Sequence, residues 1–283
     1  MSARPRIPAD VKAVLRKEAG FGCCICGFPI YDYHHIVEYS KVETSNPADM
    51  MMLCPNHHRQ ATAGAMSRKE QRYYKRHPFN IQRGHVNGNL RVDQSALVVS
   101  MGSNQFVRDG FILQVDSDSL LSLRVGQEGR LELSLRLYDK EDKLLASVDD
   151  NEWKSDLQLA WDLQASYNWL KIRQEKHDIR LLIDARRVPV EISGKFWCRG
   201  QLLDVNATRL LFNGVAKDFS MKNLCLVGMY LRATTTDRTF SIHPDDRYGK
   251  GMMISEADVS RRIEKGLAAW RELSGSVRPV GVT

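Results

Sequence analysis

The alternation of apolar and polar residues changes period partway along the chain. Over residues 9–19, Val11, Val14, Leu15 and Ala19 recur at helical spacing behind a proline and ahead of glycines, which predicts a helix. Residues 31–38, "YDYHHIVE", predict a strand, followed by the polar loop "SKVETSNPAD" and the short apolar run "MMML". From Asn56 the pattern is helical as far as Gly64. A further helix restarts at "SRKEQRYYKR", where Ser67 and Glu70 have the spacing of a reciprocal cap, and Pro78 ends it.

Beyond "RGHVNGN" the period falls to two. Leu131, Leu133, Leu135 and Leu137 alternate with polar residues, the mark of a half-buried strand. Runs such as "FILQV", "KLLASV", "IRLLID", "KFWC" and "RLLFN" are cut off within a few residues by Gly, Asp, Asn or Pro, so an all-β region over residues 88–232 is expected. A sandwich, a barrel and a solenoid all fit that spacing. Trp153, Trp161, Trp169 and Trp197 are expected to anchor its core. "SEADVSRRIEKGLAAWRELSG" predicts a helix capped by Ser255, stopped at Gly275 and amphipathic through Val259, Ile263, Leu267 and Trp270. The expected fold class is therefore α+β. Residues 1–85 form a first domain, and residues 86–283 form a mainly β accessory domain with a C-terminal helix.

Charge sharpens this division. Residues 1–85 hold thirteen Lys and Arg against seven Asp and Glu, a net of +6, whereas the rest nets +1 of the total of +7. A polyanionic partner is thus expected for the first portion. No apolar run reaches the roughly 20 residues of a membrane helix, and "MSARPRIPAD" lacks a signal-peptide core, so a cytoplasmic protein without a membrane partner is expected.

Four of the six cysteines crowd this basic portion; Cys198 and Cys225 stand alone and are expected to be small buried residues. Cys23 and Cys26 are separated by two residues, as are Cys54 and His57. Paired short turns of this kind aim four ligands at one zinc ion, which accepts thiolate and imidazole, and Cys24 is left as a partly buried spectator. That site leaves His34, His35 and His58 unexplained. Helical neighbours diverge by about 100°, so when His57 faces the zinc, His58 faces elsewhere. His177 and His243 stand alone and carry no catalytic spacing.

"CCICG", "YHHIVEYS" and "NPADMMMLCPNHHR" together resemble the HNH endonuclease motif, a ββα-metal finger stapled by a CxxC/CxxH zinc site, over roughly residues 8–76. The resemblance implies that His35 is the general base and that His34 and His58 bind one catalytic divalent ion, usually magnesium. It places Asp49, where that family has asparagine, beside the histidine strand to hold the base in its useful tautomer; a second metal-ligand role and a solvated loop position are the alternatives for Asp49. A base with pKa near neutrality and a hard cation are the minimal set for phosphodiester hydrolysis. Arg59, Arg68, Lys69, Arg72, Lys75 and Arg76 would hold phosphates of double-stranded DNA, or else form an ordinary solvated helix face. The function implied is a metal-dependent DNA endonuclease, by analogy a restriction or anti-phage defence effector. The β-rich domain would then sense a protein or ligand, or set target choice. An RNA-cleaving toxin and a non-catalytic zinc module are the alternatives.

Overall fold

A computed structural model describes residues 6–37, 45–213, 219–237 and 239–275. Helix α1 (Ala9–Glu18) follows Pro8 and carries Asp10 in its first turn and Arg16 and Lys17 in its last, each complementing the helix dipole. Leu15 and Ala19 face inward, while Val14 points to solvent. Strand β1 (Asp32–His35) pairs antiparallel with β2 (Met50–Leu53), matching Tyr33 with Met52 and His35 with Met50. The expected strand over residues 31–38 thus ends at His35; residue 38 and residues 40–44 of the following loop lie outside the described residues.

A 3-10 turn at Pro47–Asp49, held by the Asn46 side chain accepting from Ala48 N, delivers the chain to β2. Helix α2 (Pro55–Thr62) starts directly after β2, with Cys54 at its N-cap and Pro55 in its first turn. Helix α3 (Arg68–Arg76) carries the expected reciprocal cap: Glu70 N donates to Ser67 Oγ, and Ser67 N donates to Glu70 Oε2. Helix α4 (Phe79–Arg83) is closed by Gly84 at φ 71°, a conformation that costs glycine little. Leu15, Ala19, Ile36, Met50 to Leu53 and Ala61 form one buried cluster, into which Cys23, Cys24 and Cys54 also pack.

The chain then enters a nearly closed, barrel-like sheet through β3 (His85–Asn89), which pairs antiparallel with Glu152–Asp156. Antiparallel meanders run from Gly110–Val115 to Glu152–Asp156 and from Asp162–Ser166 to Phe219–Met221. Parallel contacts knit the meanders together where Val190 to Ile192 lie along Val99 to Met101, and where Leu231 to Ala233 lie along Leu113 to Val115. In Leu131–Tyr138 the four alternating leucines are all buried, as the period-two pattern requires. Trp153 is buried, but Trp161, Trp169 and Trp197 are only partly covered, so one tryptophan of the four anchors the core fully.

The last helix, α5 (Val259–Gly275), lies over a third cluster containing Val98, Val107, Cys225, Val227 and Leu273. A Cβ at Gly266 would stand 2.5 Å from Cys225 Sγ, so glycine is what lets the helix lie this close. The expected cap, Ser255, is the last residue of the strand Met252–Ser255; Asp258 caps the helix instead, accepting from Arg261 N. The sequence pattern hid this because Ser255 and Asp258 are both good N-cap residues, and strand pairing with Leu224 claims the first.

One buried ion pair ties α1 to the large sheet. Arg16 Nε and Nη2 donate to both oxygens of Asp162 at 2.6 and 3.0 Å, and Arg16 Nη1 donates to the Tyr33 hydroxyl. Asn80, 1% exposed, adds hydrogen bonds to the carbonyls of Gly20 and Gly27.

Candidate metal centre

Two turns bring the sulfur ligands together. Gly27 N donates to Cys23 O, and Cys23 N donates to Phe28 O, so the chain reverses tightly with Gly27 at φ 74°. A side chain there would collide with Asn80, whose Oδ1 lies 2.2 Å from an ideal Cβ. The second turn is the start of α2, which places Cys54 and His57 on one side of its first turn.

The ligand atoms of Cys23, Cys26, Cys54 and His57 all lie within 4.8 Å of one another. Cys26 and Cys54 Sγ are 3.8 Å apart, and His57 Nδ1 is 3.4 Å from Cys23 Sγ and 3.2 Å from Cys54 Sγ. A tetrahedral zinc ion with its usual bond lengths spaces two sulfurs about 3.8 Å apart and a sulfur and a nitrogen about 3.5 Å apart. The four side chains therefore fit a metal ion such as zinc, with His57 ligating through Nδ1. Burial, with the neighbouring thiols, pushes Cys26 up to about 12 and raises Cys23 as well. A divalent cation reverses that balance by stabilising thiolates. Cys24, expected to be a partly buried spectator, is fully buried at 2% exposure.

His58 faces away from this cluster, as the helical geometry requires. Its ring packs edge-on against His34, with centroids 5.0 Å apart and planes at 88°. Two imidazoles sharing an ion through nitrogens about 2.1 Å from it place their centroids roughly 5 Å apart, so this pair is compatible with a shared ion. Burial first, then the His58 charge, holds His34 below its usual value and favours the neutral ring that ligates metals.

Gln71, which the sequence patterning passed over, decides which nitrogen is available. Its Nε2 donates to Met66 O, which orients the amide so that Oε1 faces His34 Nε2 at 3.2 Å. The hydrogen therefore sits on His34 Nε2, and the lone pair is left on Nδ1. The signal was present in "RKEQRYYKR": an uncharged polar residue among charges, at the position α3 buries to 4% exposure.

His35 closes β1 and is half-buried; both histidines are paired in the ladder, His34 with Met51 and His35 with Met50, so the alternation of the strand sends their side chains to opposite faces. Asp49 reaches this strand through its backbone: Ile36 N donates to Asp49 O at 2.8 Å. Its carboxylate accepts from Arg72 Nη2 at 3.1 Å. His35 and Asp49 do not join His34 and His58 in a convergent ligand set like that of the cysteines, among the described residues. Arg72 is thereby engaged, and Lys75 pairs with Glu18 at 2.7 Å. Arg59, Arg68, Lys69 and Arg76 are exposed.

On the other side of α2, a cleft of about 1140 Å³ separates the metal-ligand turns from the sheet edge. Cys26, Phe28 and His57 line one wall; Asn87, Trp153 and Lys154 line the opposite one. No helix is long and apolar enough to cross a membrane, among the described residues. No protein-family model, curated protein or solved structure matches the chain.

Proposed function

We propose that the chain is a metal-dependent endonuclease of the HNH type that hydrolyses phosphodiester bonds in DNA. The observation carrying this reading is the division of α2: adjacent His57 and His58 belong to two different groups, one the sulfur-rich ligand set and one the ring pair of His34 and His58, with His35 following His34 in β1. A zinc-held scaffold alone needs only the first.

Cys23, Cys26, Cys54 and His57 hold structural zinc, which fixes the β1–β2 hairpin against α2. His34 and His58 hold the second divalent ion, magnesium or another. When bound, that ion supplies positive charge to the phosphate and the departing 3′ oxygen. His35 accepts the proton of the attacking water. Asp49 fixes the end of the histidine strand through its carbonyl and holds Arg72 close by. Exposed Arg59, Arg68, Lys69 and Arg76 meet phosphates first, and Arg72 and Lys75 join by exchanging their carboxylate partners for phosphate.

The test is plasmid cleavage with added divalent metal or with EDTA, for the natural chain, His35→Ala, His58→Ala and Cys54→Ser, with zinc content measured alongside. Cleavage should fall by 10²-fold or more for His35→Ala, in line with the roughly 10²–10⁴-fold worth of a general base. His58→Ala should lose cleavage and keep its zinc, whereas Cys54→Ser should lose zinc. Metal-dependent nicking that persists in His35→Ala removes the base, and a zinc-free His58→Ala shows that the two histidines are exchanged. Cleavage of structured RNA in preference to plasmid supports the toxin alternative instead.

A further inference from the structure

A second cleft, of about 600 Å³, opens on the large sheet far along the chain from the histidines. Lys140, Lys176, Arg180 and Lys195 line it with His177, against Glu175 and Asp178, a cationic excess in a region that nets only +1. Trp197 stands partly exposed in the same wall, beside its cross-strand neighbour Leu202. Lys195 and Trp197 share a face of Val190–Cys198 because Phe196 between them points into the core.

Arg180 makes this more than a charged surface. It is 4% exposed; Nη2 donates to Tyr138 O, Nη1 stands 3.6 Å from the Asp178 carboxylate, and Nε has no hydrogen-bond partner among the described residues. Asp178 is shared with Lys195, whose Nζ lies 2.6 Å away. Burial lowers the pKa of the Arg180 guanidinium in spite of Asp178, so its charge is under-compensated. Gly194, at φ 145°, lets its strand approach the Arg180 backbone closely, since a Cβ there would stand 2.2 Å from Arg180 O. A buried guanidinium that its carboxylate compensates only in part leaves a positive potential in the cleft it lines.

We propose that this cleft binds a nucleotide, its phosphates among Lys140, Lys176, Arg180 and Lys195 and its base against the face of Trp197. Cations beside an aromatic ring match a ligand that is anionic at one end and planar at the other. The volume lies within the roughly 300–1,000 Å³ of small-ligand sites, which favours a mononucleotide-sized ligand over a polymer. The site lacks catalytic spacing and stands apart from the proposed nuclease centre, so the inference holds or fails independently of that reading. It gives the β-rich region the task of sensing an effector.

Tryptophan fluorescence of the full chain at physiological salt tests it, with the four nucleoside triphosphates, adenosine, tripolyphosphate and a single-stranded 30-mer as probes. At least one triphosphate should quench saturably below millimolar concentration, and the quench should vanish in Trp197→Phe. Lys195→Ala, at a half-buried position and expected to fold with unchanged circular dichroism, should weaken that binding on the order of tenfold, and adenosine should bind weaker still. Absence of quenching by every nucleotide overturns the proposal. So does tripolyphosphate binding as tightly as the nucleotides, which would mean a plain anion site, or a 30-mer binding tighter than any of them, which would mean a nucleic-acid track.

Discussion

The contact between Gln71 and His34 sets a chemical state rather than merely filling space. A carbonyl oxygen on Nε2 selects the tautomer whose Nδ1 lone pair is open, which is how metal-binding histidines are commonly oriented by their outer partners. Replacing Gln71 with leucine keeps the volume close but removes that oxygen. Removing such a partner typically costs 10–100-fold in metal affinity. Under the proposed function, Gln71→Leu should raise the divalent-metal concentration needed for half-maximal plasmid cleavage by about that factor and leave the metal content of the cysteine site unchanged. Loss of zinc along with activity would show that Gln71 merely supports the fold. Two imidazoles are also softer ligands than magnesium prefers, so manganese should support cleavage at lower concentration than magnesium. The spacing of the cysteines and histidines was legible in the sequence because short turns fix which side chains converge. Gln71 was not, because its role depends on α3 crossing β1, a contact 37 residues apart in the chain.

At the scale of elements, local chemistry could be read directly and competition between elements could not. The Ser67–Glu70 cap forms within four residues and appears as expected. Ser255 looked equally competent, yet a strand took it and Asp258 capped α5 instead. Register also remained hidden: nothing local says that β1 stops at His35 or that Val190–Cys198 pairs with strands on several sides. The hairpin and α2 share a small cluster rich in methionine and cysteine, so a bound metal would add substantially to its stability. Structural zinc supplies on the order of 10 kcal/mol to such units. Chelation should therefore raise amide exchange across β1, β2 and α2 by orders of magnitude, while strands such as Leu131–Tyr138, with their separate core, stay protected. Equal loss of protection in both regions would mean that the zinc turns support the whole molecule.

Across the whole molecule, stability depends on carboxylates held ionised and on one buried pair that crosses between the helical and β-rich parts. Burial opposes ionisation of Asp245, but hydrogen bonds from Arg247 and the charges of Arg108 and Arg247 hold it below the usual carboxylate range. Hydrogen bonds from Thr235, and then Arg199, do the same for Asp116. Because the folded values lie below the unfolded value of about 3.9, this stabilisation is complete above that pH and is lost as pH falls through the folded values. Denaturant midpoints should be flat in this respect above pH 5 and fall steeply below pH 4. The bridge formed by Arg16 and Asp162 permits a sharper test. Asp162 also accepts from Gln164 and Arg173, so Asp162→Ala strands two guanidinium groups, one of them deeply buried. Breaking one side of a buried pair costs about 3–5 kcal/mol, whereas replacing both partners with apolar residues is often neutral. The double variant Arg16→Met, Asp162→Leu should therefore recover much of the denaturant stability that Asp162→Ala loses. On the proposed endonuclease reading it should not recover plasmid cleavage in proportion, because Arg16 also donates to Tyr33 on the histidine strand and that hydrogen bond goes with the guanidinium. Stability restored with cleavage still depressed would assign the bridge to positioning β1; stability and cleavage recovering together would assign it to holding the two parts in one fold and nothing more.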